Sequence, residues 1–151
     1  MKIILASDHA GFSLKLHVKK HLEEKGYSVK DMGVFSEDRV NWAEYGAKAA
    51  SVVSDDPENS MGIIICGSGI GMSIVSNKFK NVRAALCNDE YSAEMSRRHN
   101  NSNVLNMGER VVTEELAEKI VEIWLNTPFE GGRHADRLEY ISNIVEKNNF
   151  K

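Results

Sequence analysis

Five short apolar runs recur along the chain, at residues 2–7, 28–32, 62–66, 83–87 and 103–107, and each is too short for a helix. Longer stretches between them carry apolar residues three and four apart. Residues 13–25 are the first, with Leu14, Val18, Leu22 and the stem of Lys25 on one face, and Gly26 following as a C-cap glycine. Residues 41–54 form a second helix with an Ala-rich inner face, and residues 69–77 and 89–98 form two more. Residues 114–125 show the clearest amphipathic pattern, opened by Thr113 as N-cap and closed before Pro128. A final helix over residues 133–146 sets Leu138, Ile141, Ile144 and Val145 in register, to pack on the body or on a partner. Strands alternating with helices predict an α/β fold with a five-stranded parallel sheet and a C-terminal helix. Residues 55–60 read as a polar surface turn, with no repeat or linker in the chain.

Composition narrows the class. At 151 residues the chain suits a single domain spanning 1–151, and only 2 Pro and 11 Gly exclude collagen-like or low-complexity scaffolds. Lys and Arg total 19 against 22 Asp and Glu, a net charge of −3, so no basic field attracts nucleic acid. No apolar run is long enough to span a bilayer, and residues 1–7 read as a strand, with no signal peptide or membrane anchor. Two cysteines, Cys66 and Cys87, are too few for a disulfide framework and lack the spacing of a structural zinc site. A cytoplasmic protein with no metal is therefore expected.

Chemistry in an open parallel sheet collects outside the carboxyl ends of its strands. Three clusters fall there: Asp8-His9-Ala10-Gly11, Cys66-Gly67-Ser68-Gly69-Ile70-Gly71, and Gly108-Glu109-Arg110. The second is a glycine turn entering a helix, where converging N–H groups can hold a phosphate or an enediolate. Met72 stands where a dinucleotide fingerprint needs its third glycine, and no Lys-Ser/Thr pair completes a nucleotide loop. Cys66 is open to two readings. Helix N-termini favour thiolates, which act as bases or nucleophiles, yet most free cysteines are small buried hydrophobes. Asp8 with His9 is either a tuned pair or a solvated turn. The run from His99 to Asn103 is either a specific hydrogen-bonding segment or a helix C-cap with Asn in left-handed geometry. Arg133 and Arg137 share a helix face at a spacing that suits a phosphate, or they simply start a solvated helix. His17, His21 and His134 read as surface or structural, and Cys87 as core.

Together these segments resemble the ribose-5-phosphate isomerase B family, within the wider group that includes the galactose-6-phosphate isomerase subunits. The match runs nearly end to end: Ser7-Asp8-His9-Ala10-Gly11, the stretch from Cys66 to Ile74, Asn77-Lys78, Val82-Arg83-Ala84-Ala85, Arg98-His99-Asn100, Asn103-Val104-Leu105, the stretch from Gly108 to Val112, and the stretch from Thr127 to His134. The resemblance implies a Rossmann-like, three-layer homodimer, or a tetramer of such dimers, that interconverts ribose 5-phosphate and ribulose 5-phosphate without a cofactor. By the same resemblance Cys66 moves the proton between carbons 1 and 2, His99 opens the furanose ring, and Ser68, often threonine in the family, assists proton movement between the oxygens. Asp8 lies near the sugar hydroxyls. His9, Arg133 and Arg137 are phosphate ligands, joined by Arg110, and Gly67, Ser68, Gly69, Ile70 and Gly71 with Asn100 form the anion hole.

One departure stands out: Asn41-Trp42-Ala43 replaces the family's common Asp-Tyr-Pro near the pocket. It raises the alternative of a six-carbon substrate such as allose 6-phosphate or galactose 6-phosphate, whereas retention of His99, Arg133 and Arg137 favours the pentose. A non-catalytic phosphate-binding module is a further alternative on this fold, opposed by the joint presence of Cys66 and His99. Topology adds an expectation. Cys66 ends a strand, at the working edge, while His99 ends a helix, at the opposite edge, so a site using both must draw on two chains.

Overall fold

The computed structural model describes residues 1–150. Its strands are β1 (Lys2–Ser7), β2 (Ser28–Asp31), β3 (Ser60–Cys66), β4 (Ala84–Leu86) and β5 (Val104–Gly108), all parallel in the order β2-β1-β3-β5-β4. The helices are α1 (Phe12–Glu24), α2 (Trp42–Asp55), α3 (Ile70–Ser76), α4 (Glu90–Arg98), α5 (Glu114–Asn126) and α6 (Arg133–Tyr140). A π-helical stretch, Ile141–Glu146, and a last turn, Lys147–Asn149, prolong α6.

The apolar runs are unbroken because the central strands are buried on both faces. Ile3 and Leu5 of β1, Ile63 and Ile65 of β3, and Leu105 and Met107 of β5 pack with α1, α4 and α5. Their alternating neighbours Ile4, Ala6, Ile64, Cys66 and Val104 pack with α2 and α3 on the other face. The result is the expected three-layer α/β arrangement. Helix ends follow the anticipated chemistry as well. Gly26, at φ +87°, donates its N–H to Glu23 O while the Tyr27 N–H reaches Leu22 O, closing α1 in a Schellman motif. The Thr113 hydroxyl accepts the Leu116 N–H at 3.1 Å to open α5.

Boundaries move by a residue or two. β3 starts at Ser60 rather than 62 because Ser60 and Met61 already pair with Lys2 and Ile3, with the Ser60 hydroxyl donating to Asp56 O. β4, an edge strand, loses Arg83, whose N–H goes to Asn103 Oδ1 at 2.7 Å. The polar run before β5 is largely structural. Asn101 takes φ +46°, the Asn103 Nδ2 donates to Asn81 O, and the Ser102 hydroxyl accepts the Trp124 indole N–H at 2.8 Å. The terminal helix touches the body through Glu146, whose carboxylate accepts the Asn81 N–H, and leaves Tyr140, Ile141, Ile144 and Val145 exposed.

Candidate active site

β1 and β3 are neighbours, and the chain leaves them for opposite faces of the sheet, toward α1 and α3. Their carboxyl ends therefore open a cleft of about 790 Å³. Eight of the expected residues line it: Asp8, His9, Cys66, Gly67, Ser68, Ile70, Gly71 and Arg110. Arg39 and Val40 of the loop into α2, and Trp42 at its first turn, also line the cleft. Gly69 is buried behind it.

The glycine turn is built around Cys66. Gly69 adopts φ +80°, and a Cβ there would lie 2.9 Å from the Met107 carbonyl carbon, so only glycine lets the turn press against β5. That conformation aims the Gly69 N–H at the Cys66 Sγ, 3.2 Å away. The Ser68 hydroxyl accepts the Ile70 N–H at 3.2 Å. Neighbouring backbone locks the turn: Glu109 N–H donates to Cys66 O and Arg110 N–H to Gly67 O. Asn88, which sequence reasoning passed over, donates to Ser68 O and accepts the Gly108 N–H. The Arg110 guanidinium lies over Gly67, placing positive charge beside the turn.

Asp8 is buried and uses Oδ1 to accept the Gly11 N–H at 3.0 Å. His9 accepts the Val40 N–H at Nδ1, 3.1 Å, which leaves the neutral ring's hydrogen on Nε2, ready to donate to an anionic oxygen. Glu109, in the third cluster, has a supporting role. Its carboxylate accepts the Leu14 N–H at the head of α1, and burial, aided by the charges of Asp8 and Glu37, holds its pKa above the carboxylate norm. Trp42 packs on the first turn of α3, its ring 3.0 Å from where a Gly71 Cβ would sit.

The remaining four residues, His99, Asn100, Arg133 and Arg137, do not line this cleft. His99 is the C-cap of α4, before β5, whereas Cys66 pairs with Gly108 at the far end of β5. Four strand rises put roughly 13 Å between these edges. Asn100 is exposed beside a second cavity of about 350 Å³ beneath the terminal helix. Arg133 and Arg137 are exposed, one turn apart on α6.

His134, expected to be surface or structural, is 5% exposed and stacks on His99, with ring centroids 4.3 Å apart and planes within 14°. Burial, reinforced by the nearby His99 and Arg133, lowers its pKa from the ordinary imidazole value. Glu130 faces the pair, its Oε2 3.5 Å from His134 Nε2, while its Oε1 takes the Arg98 Nε–H at 2.6 Å. That hydrogen bond holds the Glu130 carboxyl below its usual range. The grouping joins His99 to residues 31 and 35 positions further along, beyond the reach of local spacing patterns.

The sequence model of the family described as Ribose/Galactose Isomerase matches residues 3–141. Ribose-5-phosphate isomerase B of Escherichia coli is 45% identical over 148 residues, covering 98% of this chain and 99% of its own. Among solved structures, ribose-5-phosphate isomerase B of Clostridium thermocellum superposes with a TM-score of 0.93 at 44% identity, covering 98% of this chain and 99% of the other. The Mycoplasma genitalium enzyme, solved with bound ribulose-5-phosphate, gives a TM-score of 0.94 at 37% identity over 97% of each chain. Agreement in sequence and fold over nearly the whole length places this chain in the ribose/galactose isomerase family.

Proposed function

We propose that this protein interconverts ribose 5-phosphate and ribulose 5-phosphate through a cis-enediolate. The observation that carries the reading is Cys66 at the end of β3, its sulfur accepting the Gly69 N–H beside Asp8, His9 and Arg110 in one cleft. In the open-chain aldose the Cys66 thiolate removes the carbon 2 proton, and the electron pair moves to the carbon 1 oxygen. The resulting enediolate lies against the N–H groups of the turn from Gly67 to Gly71, and the thiol returns the proton to carbon 1. The Ser68 hydroxyl relays the proton between the two oxygens. His9 and Arg110 hold anionic oxygens, and Asp8 accepts from the sugar hydroxyls.

Ring opening is assigned to His99 of a second subunit, with Asn100, Arg133 and Arg137 of that subunit closing the anion and phosphate sites. Support for the shared site lies in the division of the residues between two edges of the sheet and in the uncovered apolar side chains of the terminal helix. A homodimer with two composite sites satisfies both. Among the described residues no helix is long and apolar enough to cross a membrane, and with two unpaired thiols the cytoplasm is the assigned location.

A six-carbon substrate is the second reading, raised by Trp42, whose exposed ring edges the cleft where the family commonly has tyrosine. Loss of the carbon 2 proton of ribose 5-phosphate into deuterated water, followed by NMR, tests the proposal. Exchange together with ribulose 5-phosphate formation is expected, and its absence refutes the pentose assignment. Initial rates on allose 6-phosphate, expected to be lower, decide between the two sugars.

A further inference from the structure

We propose that His99, Glu130 and His134 form a binding site for a zinc-class divalent cation, and that the bound ion arrests turnover by occupying the His99 imidazole. One donor atom from each of these three residues lies within 4.8 Å of the other two. Three donors at that limit sit about 2.8 Å from their common centre, so each moves in by about 0.7 Å to reach a zinc–nitrogen distance of ~2.1 Å. The rings are nearly parallel, so their lone pairs lie in separate planes, and closing on an ion requires one imidazole to rotate. His99, half-buried at a helix end, has that freedom. His134 is held in place at the start of α6.

Two observations beyond proximity point to a ligand. The His134 Nε2 is buried, has no hydrogen-bond partner and lies 3.5 Å from the Glu130 carboxylate. Glu130 is oriented as metal-bound carboxylates are: Arg98 holds one oxygen and the other is left to coordinate. Its backbone N–H is also tied to Arg98 O at 3.0 Å. The positive charge of Arg98 is met by Glu94 as well as Glu130, which limits its repulsion of a cation. Two imidazoles and one carboxylate suit Zn²⁺, Co²⁺ or Ni²⁺ and discriminate against Mg²⁺ and Ca²⁺, which prefer oxygen. The ion competes with catalysis because it takes the nitrogen lone pair that proton transfer needs.

The inhibitory half of the inference rests on the ring-opening role assigned to His99. The binding half does not. Metal-free, full-length protein is titrated with ZnCl₂ by calorimetry and with CoCl₂ by visible absorption. One saturable ion per chain is expected, with Co²⁺ ligand-field bands and no thiolate-to-cobalt charge transfer, since Cys66 is the competing ligand. Glu130→Gln and His134→Asn should each weaken binding at least tenfold, and the exposed Glu130 variant carries the test if the buried one does not fold. No saturable binding, binding unchanged in a folded variant, or a charge-transfer band lost in Cys66→Ala overturns the site. Turnover of ribose 5-phosphate should fall with the same zinc midpoint and recover with EDTA, while Mg²⁺ has no effect. Binding as described without any loss of turnover retains the site and refutes His99 as the ring-opening group.

Discussion

Cys66 and Cys87 are both buried and unpaired, yet their surroundings divide them sharply. Cys87 lies among core side chains, and burial raises its thiol to about 11. At pH 8 roughly one Cys87 in a thousand is ionised. Cys66 opens on the cleft with a backbone N–H directed at its sulfur. Iodoacetamide should therefore add a single carboxamidomethyl group, on Cys66, abolishing turnover, with sugar phosphate protecting. Peptide mass mapping and residual rate read both outcomes, and modification first at Cys87 contradicts the assignment. Cys66→Ala should fold and bind sugar phosphate but turn over about 100- to 10,000-fold more slowly. Arg137 tests the remote end of the substrate. Its loss should lower kcat/KM through both terms, because phosphate binding positions the reacting carbons, and lysine should rescue only in part without the planar fork. An alanine variant with unchanged kcat/KM on ribose 5-phosphate removes Arg137 from the site.

At the scale of the element, the glycine turn between β3 and α3 couples shape to chemistry. A methyl group at Gly69 would meet Met107 backbone and sit 2.5 Å from a Leu86 methyl, at a positive φ that L residues resist. Gly69→Ala should cost about 1–3 kcal/mol of stability and a larger share of activity, as strained turns do. Urea denaturation beside steady-state kinetics checks the pairing, and wild-type turnover in this variant contradicts it. The same turn was legible from the sequence alone because its glycines and cysteine are contiguous. So were the strands, above all the central three, whose burial on both faces writes nearly continuous apolar runs, and the ends of α1 and α5, whose caps are local. Features made by distant residues were not legible. Glu109 capping α1 at Leu14, Asn88 bridging Ser68 to Gly108, and His134 stacked on His99 each require the tertiary fold before their partners meet. Trp42 is legible in the sequence as a departure near the pocket, whereas its seat on α3 requires the tertiary fold.

For the whole molecule, the division of the proposed site residues between opposite sheet edges sets the decisive experiment. Cys66→Ala and His99→Ala chains, each inactive alone, should regain activity when mixed under conditions that exchange subunits. Random pairing makes half the dimers mixed, each with one intact site of two, so about a quarter of wild-type activity is expected. No recovery despite demonstrated exchange, or full activity in a verified monomer, refutes the shared site. The adjacency of β1 and β3 also has a consequence in time. Asp8 and Cys66 lie 58 positions apart in the chain and meet only when these strands align, Ser7 opposite Ile65. Such a long loop closes late, since its entropy is lost before distant contacts repay it. During refolding from denaturant, helical ellipticity should return no later than fluorescence of a substrate analogue held in the cleft, and catalysis should trail both at low protein concentration. A nascent chain is therefore chemically silent until its first strand has found its third.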